Sequence, residues 1–274
     1  MTKKQERARA RRRWEKRQVV LAQRDKRRRQ YQRNAAIVAV VLLVAAGLGW
    51  LGTQLLASRA AQEAKASASA TPTASVSMPP GCTPPPESLG TGAVLTLPDP
   101  TTANAATWVA TLTTNCGDIV MELHGAKAPA AVASFIQLAE ADYWINSPCH
   151  RLVVSDPMTI LQCGDPTGTG QGTPGYGFGV ENAPTDGIYP RGSVAMARTS
   201  DPVEGNGGQF FLVDQETTLP DPDGYTIFGT VTQGLDIVDT IVREGVAGDG
   251  TSATDGTPAV PISILRVAVT EKKA

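Results

Sequence analysis

The run Cys149-His150-Arg151-Leu152-Val153-Val154, followed after Ser155-Asp156-Pro157-Met158-Thr159 by Ile160-Leu161-Gln162-Cys163-Gly164-Asp165, is the stretch on which the fold turns. Arg151–Val154 and Ile160–Cys163 are rich in aliphatic and β-branched residues and are bounded by Pro, Asp and Gly. That is the composition of two short strands joined by a turn. Successive side chains of a strand leave on opposite faces, so His150 and Arg151 point apart and His150 is assigned a structural role rather than proton transfer. The other histidine, His124, is read in the same way.

Working outward, the same signals repeat. Thr107-Trp108-Val109-Ala110-Thr111-Leu112-Thr113 and Ile119-Val120-Met121-Glu122-Leu123 alternate around Asn115-Cys116-Gly117-Asp118 and predict a β-hairpin. Pro129 opens a run with Val132, Phe135, Ile136, Leu138 and Ala139 at helical spacing, and its missing N–H costs nothing at a helix start. Strand-like runs follow at Ser193–Ala197, Gln209–Val213 and Thr226–Val231, divided by turns rich in Gly, Pro and Asp. A second amphipathic helix, Leu235–Val242 with Ile237, Val238 and Ile241 inward, precedes a last strand, Ile262–Val269. Many short strands and two helices imply a mainly β fold, a closed barrel capped at its ends. No internal repeat is present.

The N-terminal part has another character. Residues 1–33 carry 15 Lys/Arg against three acids, leaving 10 Lys/Arg and 23 acids for the rest, so the net charge of −1 hides two opposed segments. Ala35 to Leu56 holds 22 residues without a formal charge. At about 1.5 Å per residue this is enough to cross a hydrocarbon layer of about 30 Å. The span is drawn at 35–57, with 1–34 as a basic cytoplasmic arm, because positive charge stays on the cytoplasmic side. No nucleic-acid partner is assigned to the arm. A cleaved signal peptide competes with this reading, but the apolar run exceeds a signal core and the arm is long, which favours a retained anchor. Residues 58–106 are Ala, Ser, Thr and Pro with few large apolar groups, a composition expected to remain a disordered linker. The folded domain is drawn at 107–272 and placed outside the cell membrane.

Four motifs in order then carry a resemblance. Cys149–Val154 with Leu161–Gly170, Gly192-Ser193-Val194-Ala195-Met196-Ala197, Asn206-Gly207-Gly208-Gln209-Phe210-Phe211 and Tyr225-Thr226-Ile227-Phe228-Gly229 resemble the segments of the cyclophilin-type peptidyl-prolyl cis–trans isomerases. The likeness covers residues 107–270. It implies an eight-stranded antiparallel closed β-barrel with a helix over each end, and catalysis of rotation about X–Pro bonds without a cofactor. By the same resemblance Arg151 is the catalytic arginine and Gln162 its partner, with Gln209 supporting them. The proline socket is built from Ile160, Phe211 and Leu219, with Met196 and Ala197 beneath or beside it and Tyr225 at its edge in place of a common histidine; barrel core is the other reading of these apolar residues, and the favoured one for Met196.

Several positions depart from the family pattern. The hairpin turn is longer by three residues within Ser155–Thr159, where the family supplies a phenylalanine to the socket, and Met158 or Thr159 stands nearest. Arg198 occupies the place of an asparagine that binds substrate backbone. Leu219 stands where some members carry a tryptophan that binds cyclosporin, so weak cyclosporin binding is expected. These departures keep a second reading in play, a peptide-binding module or holdase with little catalysis.

Gly164 to Gly179 lacks the Gly-Lys-Ser/Thr ending of a phosphate loop and is assigned to the surface. Two histidines and no Cys-x-x-C leave no zinc pattern, and no metal site is assigned. Four cysteines beyond the span allow three disulfide connectivities. If the hairpin pairs as in the family, Cys149 and Cys163 lie across from one another and are the first candidate pair.

Overall fold

The computed structural model describes residues 78–248 and 253–273. The basic arm, the apolar span and the first part of the linker lie outside the described residues. Among the described residues no helix is long and apolar enough to cross a membrane.

The first hairpin forms where the alternation predicts it, with β1 (Thr107–Thr114) paired to β2 (Gly117–His124) in unbroken antiparallel register from Thr107 opposite His124 to Thr114 opposite Gly117. Inward residues Ala110, Leu112, Ile119, Met121 and Leu123 are buried. Helix α1 (Pro129–Glu140) follows, burying Val132, Phe135, Ile136 and Leu138. Ala128 gives no side-chain cap to this helix. The carboxylate of Glu181 does so from 50 residues away, accepting from the N–H groups of Ala130 and Ala131, both at 3.1 Å.

Two-residue β3 (Ser147–Pro148) leads into the hairpin β4 (Arg151–Ser155) and β5 (Met158–Cys163), which turns on Asp156-Pro157. Then come β6 (Ile188–Tyr189), β7 (Ser193–Arg198), β8 (Asn206–Val213), β9 (Thr217–Thr218) and β10 (Ile227–Gln233). Helix α2 (Leu235–Glu244) buries Val238 and Ile241 and leaves Ile237 only partly covered. Short β11 (Asp255–Gly256) and long β12 (Ser263–Glu271) complete the chain.

Eight of these strands have five or more residues, as expected, but the barrel does not close. The main sheet runs β11-β4-β5-β8-β7-β10-β2-β1-β12-β3 and curls around α1, with β11 and β3 at its two ends. The reason lies at the two free edges. The outer edge of β12 is taken by Ser147-Pro148, and the outer edge of β4 by Asp255-Gly256. Pro148 has no N–H to extend a ladder. The expected closed barrel is therefore an open, curled sheet with a core of Phe135, Trp144, Phe210 and Phe228 at its centre.

The boundary expected at residue 107 also moves. Residues 78–106 pack along the domain rather than trailing from it. Cys82 is bonded to Cys116 at the β1–β2 turn, and Thr83 and Asn115 exchange hydrogen bonds beside the bridge. Leu95 N–H donates to Pro174 O at 2.7 Å, Asp99 caps a 3-10 turn at Pro100–Ala103, and Trp108 Nε1–H donates to Ala103 O at 2.9 Å. Composition alone predicts too little apolar area to order this segment. Order comes from a covalent bond and from backbone groups paired with the domain, neither of which is visible in local composition.

The second bridge joins Cys149 to Cys163 across β4 and β5. With both bridges formed, Cys82→Ser/Cys116→Ser releases the chain segment closed by the 34-residue separation. We expect a loss of about 2–4 kcal/mol in urea unfolding of the full chain. A loss under about 0.5 kcal/mol, the scale of a neutral surface change, would mean that the Cys82–Cys116 bridge does not constrain the fold.

Candidate active site

Period-two alternation divides the strands β4, β5, β7 and β8 into two faces. Leu152, Leu161, Cys163, Val194, Met196, Phe210 and Leu212 turn into the main core. Val153, Ile160, Ala195, Phe211 and Val213 turn the other way and form a second apolar cluster with Tyr189 and Leu219, against which Met158, Ala197 and Tyr225 pack. Arg151 shares the parity of Val153, Gln162 that of Ile160, and Gln209 that of Phe211. One outer face thus carries polar groups at one end and apolar groups at the other.

The polar end is a chain of amides and one guanidinium. Arg151 and Gln162 are direct partners across the β4–β5 ladder, and Gln162 faces Phe211 across β5–β8. Arg151 Nη1 donates to Gln162 Oε1 at 3.2 Å, Gln162 Nε2 donates to Gln209 Oε1 at 3.0 Å, and Gln209 Nε2 donates to the carbonyls of Gly170 and Gly172 at 3.0 and 3.1 Å. Each amide therefore has its orientation fixed by the next.

The far end of this chain is anchored by Asp165, which is fully buried. Its carboxylate accepts from Thr167 N–H and Oγ1–H, Thr169 Oγ1–H and Gly172 N–H. Burial pushes its pKa up, but these donors together outweigh burial and hold the carboxyl below its ordinary range. The loop that looked like a plain Gly-rich surface segment is thus a rigid support. His150 lies half-buried against Gly170, and burial lowers its pKa, which keeps the ring neutral at neutral pH.

The apolar end is a groove of about 500 Å³ lined by Arg151, Met158, Ile160, Gln162, Ala197, Arg198, Phe211, Leu219 and Tyr225, with Pro220-Asp221-Pro222 on its rim. Met158, not Thr159, fills the wall left open by the lengthened hairpin. Tyr225 meets Phe211 edge-on with ring centroids 5.8 Å apart. Tyr189 fixes that ring from behind, its hydroxyl accepting from Tyr225 N–H at 2.7 Å. A second cavity of about 480 Å³ adjoins the groove and shares Gln162, Ala197 and Arg198 with it.

Of the positions named with the socket, Met196 lies in the core and Arg198 on the groove wall. Met196 is 3 % exposed and packs in the main core, because its neighbour Ala197 takes the groove side of β7. Arg198 reaches the groove as a wall rather than as a free donor. Its Nε donates to Gly224 O, Nη1 to Thr199 O and Nη2 to Asp221 Oδ1 at 2.8, 2.8 and 2.6 Å, while its guanidinium carbon lies 5.0 Å from the centre of the Tyr225 ring. Arg198 braces the loop that carries Tyr225.

Two residues were missed altogether. Tyr189 stands alone in Ile188-Tyr189-Pro190, with no periodic run to mark it. Asp255 sits in Thr254-Asp255-Gly256, a turn by composition, yet its two carboxylate oxygens accept from Arg151 Nε and Nη2, each at 2.7 Å. The Arg151 guanidinium holds the Asp255 carboxyl below the usual carboxylate range, and the carboxylate in turn raises the pKa of Arg151.

Residues 109–269 match the family model described as cyclophilin type peptidyl-prolyl cis-trans isomerase/CLD. The chain belongs to this family. Its cyclophilin domain is 40% identical over 169 residues to a probable peptidyl-prolyl cis-trans isomerase B of Mycobacterium tuberculosis, covering 57% of this chain and 52% of that protein. The chain thus spans about half the length of the mycobacterial relative. A peptidyl-prolyl cis-trans isomerase of Helicobacter pylori is 37% identical over 140 residues, covering 50% of this chain and 82% of the relative. Among solved structures, a cyclophilin type peptidyl-prolyl cis-trans isomerase from Cryptosporidium parvum superposes with a TM-score of 0.50 at 28% identity, covering 61% of this chain and 99% of that one.

The loop anchor gives a test inside the cyclophilin domain. A Cβ placed on Gly172 would stand 1.9 Å from Asp165 Oδ1, so Gly172→Ala must displace the carboxylate and with it the carbonyl that orients Gln209. We expect a stability loss of about 1–3 kcal/mol, and weaker binding of a proline-containing peptide in an NMR titration of the still-folded full chain. Unaltered peptide affinity would detach the loop from the site.

Proposed function

We propose that this chain is a peptidyl-prolyl cis–trans isomerase acting on X–Pro bonds of extracytoplasmic proteins and assisting their folding. Residues 35–57 hold it in a membrane and residues 1–34 remain in the cytoplasm. The observation that carries the reading is the junction of an apolar groove with an oriented guanidinium: Arg151 stands beside Ile160, Phe211 and Leu219, fixed through Gln162 and Gln209.

Rotation about an X–Pro bond meets a barrier of about 18–20 kcal/mol, because the amide nitrogen shares its lone pair with the carbonyl. No bond is broken, so no nucleophile is called for. What lowers the barrier is a site that grips both sides of the bond and favours the twisted amide, whose nitrogen regains a localised lone pair able to accept a hydrogen bond. The groove suits the first task, since a pyrrolidine ring is apolar and rigid and finds Met158, Ile160, Phe211 and Leu219 there. Arg151 suits the second. A guanidinium has five N–H groups; three are engaged by Asp255 and Gln162, and two remain for the substrate carbonyl and the prolyl nitrogen.

Location rests on sequence and covalent chemistry together. Two disulfides among the described residues fit an oxidising compartment, and the charge-free stretch after a polybasic arm fits a single-pass anchor with its N-terminus in the cytoplasm. Weak cyclosporin binding is part of the same proposal, since Leu219 offers no indole at the groove edge.

The test is acceleration of cis–trans exchange in a Suc-Ala-Xaa-Pro-Phe peptide by the full chain, compared with Met158→Asp, which puts a charge into the proline socket. We expect catalysis by the parent chain and a KM raised at least about tenfold, or about 1.4 kcal/mol of lost binding, in the variant. External protease should remove the cyclophilin domain from intact cells and spare the arm. A folded parent chain that binds the peptide without accelerating exchange would overturn the enzymatic reading, and a protected domain would overturn the location.

A further inference from the structure

The groove's arginine is held from two sides, and only one of them lies in the groove. Gln162 contacts Nη1 from the neighbouring strand β5. Asp255 contacts Nε and Nη2 from β11, a two-residue strand that reaches the outer edge of β4 more than a hundred positions later in the chain. Asp255 is paired with Val153, which shares its face of β4 with Arg151, so the carboxylate meets the guanidinium diagonally across the ladder. A planar fork met by a carboxylate along one edge and an amide oxygen on its remaining nitrogen has no free rotation left.

We propose that Asp255 is a positioning residue for Arg151, setting the plane in which its two remaining N–H groups meet the prolyl amide. The inference rests on the isomerase reading of the groove. The pair is ill placed to serve stability: the side chains are 40% and 49% exposed, and ion pairs so open to solvent contribute little to folding. Among the described residues Asp255 has no other side-chain hydrogen bond. A two-point contact with both distances at 2.7 Å, made by an otherwise unoccupied carboxylate at the edge of a sheet, is best explained by what it does to Arg151. The carboxylate also offsets the charge of Arg151, so that the site presents directed donors to a neutral amide rather than a bare cation.

The experiment uses the full chain with Asp255→Asn and Asp255→Glu, each alone and combined with Arg151→Ala. Asp255→Asn should lower kcat about tenfold while KM stays within about twofold, since orientation is lost and the socket is not. Asp255→Glu should recover part of that loss. On the Arg151→Ala background Asp255→Asn should cost nothing more, because a residue acting through Arg151 has nothing left to act through.

A spectroscopic arm reads the geometry without activity. The Nε–H resonance of Arg151, identified by its absence in Arg151→Ala, should be protected from water exchange in the parent chain and lost in Asp255→Asn. An equal loss of kcat in both backgrounds, or a protected resonance in Asp255→Asn, overturns the proposal. If the parent chain does not isomerise the peptide, the functional reading fails, and the resonance alone decides whether Asp255 holds Arg151.

Discussion

Arg151 Nη1 and Gln162 Oε1 meet across a single rung of the β4–β5 ladder, and that one hydrogen bond links the fold to the chemistry. On its groove side lies an apolar cluster that a proline ring can enter. On its other side the amides run through Gln209 to the carbonyls of Gly170 and Gly172, and so to the buried carboxylate of Asp165. Nothing in this chain can turn alone. Reversing one amide would set donor against donor on one side and acceptor against acceptor on the other. Orientation at the site is therefore stored in the fold before any substrate arrives.

The rung itself is secured by covalent and packing constraints. The Cys149–Cys163 bridge ties β4 to β5 just outside the Arg151–Gln162 pair. Trp144 donates from Nε1 to Gly208 O at 3.0 Å beside Gln209, joining the central aromatic core to the same strands. Residues 89–95 lie against the loop from Pro166 to Gly175, where Gly92 faces Pro166 and Tyr143, and Leu95 pairs with Pro174. The N-terminal segment, stapled through Cys82, thus braces the loop that braces Gln209.

Much of this was legible in the sequence. The alternating runs located all eight longer strands, both helices began where Pro129 and Leu235 placed them, and the ordered motifs pointed to Arg151, Gln162, Gln209, Phe211 and Tyr225. What escaped shares one physical feature: it depends on partners distant in the chain. Strand closure depends on what occupies the edges of β4 and β12, and no local pattern reveals Asp255-Gly256 and Ser147-Pro148 there. Order in residues 78–106 depends on Cys116. The committed donors of Arg198 depend on Asp221 and Gly224, and Asp255 gains its meaning only beside Arg151. Met196 differs, since strict alternation along Ser193–Arg198 separates it from Ala197 and sends it into the core, the reading the sequence already favoured.

Catalysis by this groove requires that Arg151 stabilise the twisted amide. The measurement that decides this is cis–trans exchange of a proline-containing peptide by NMR, in the presence of the full chain or of its Arg151→Ala variant at equal folded concentration. We expect clear acceleration by the parent chain and at least a tenfold smaller effect from the variant, about 1.4 kcal/mol of transition-state stabilisation. Equal acceleration by the two proteins would contradict this requirement and place the catalytic contact elsewhere in the groove.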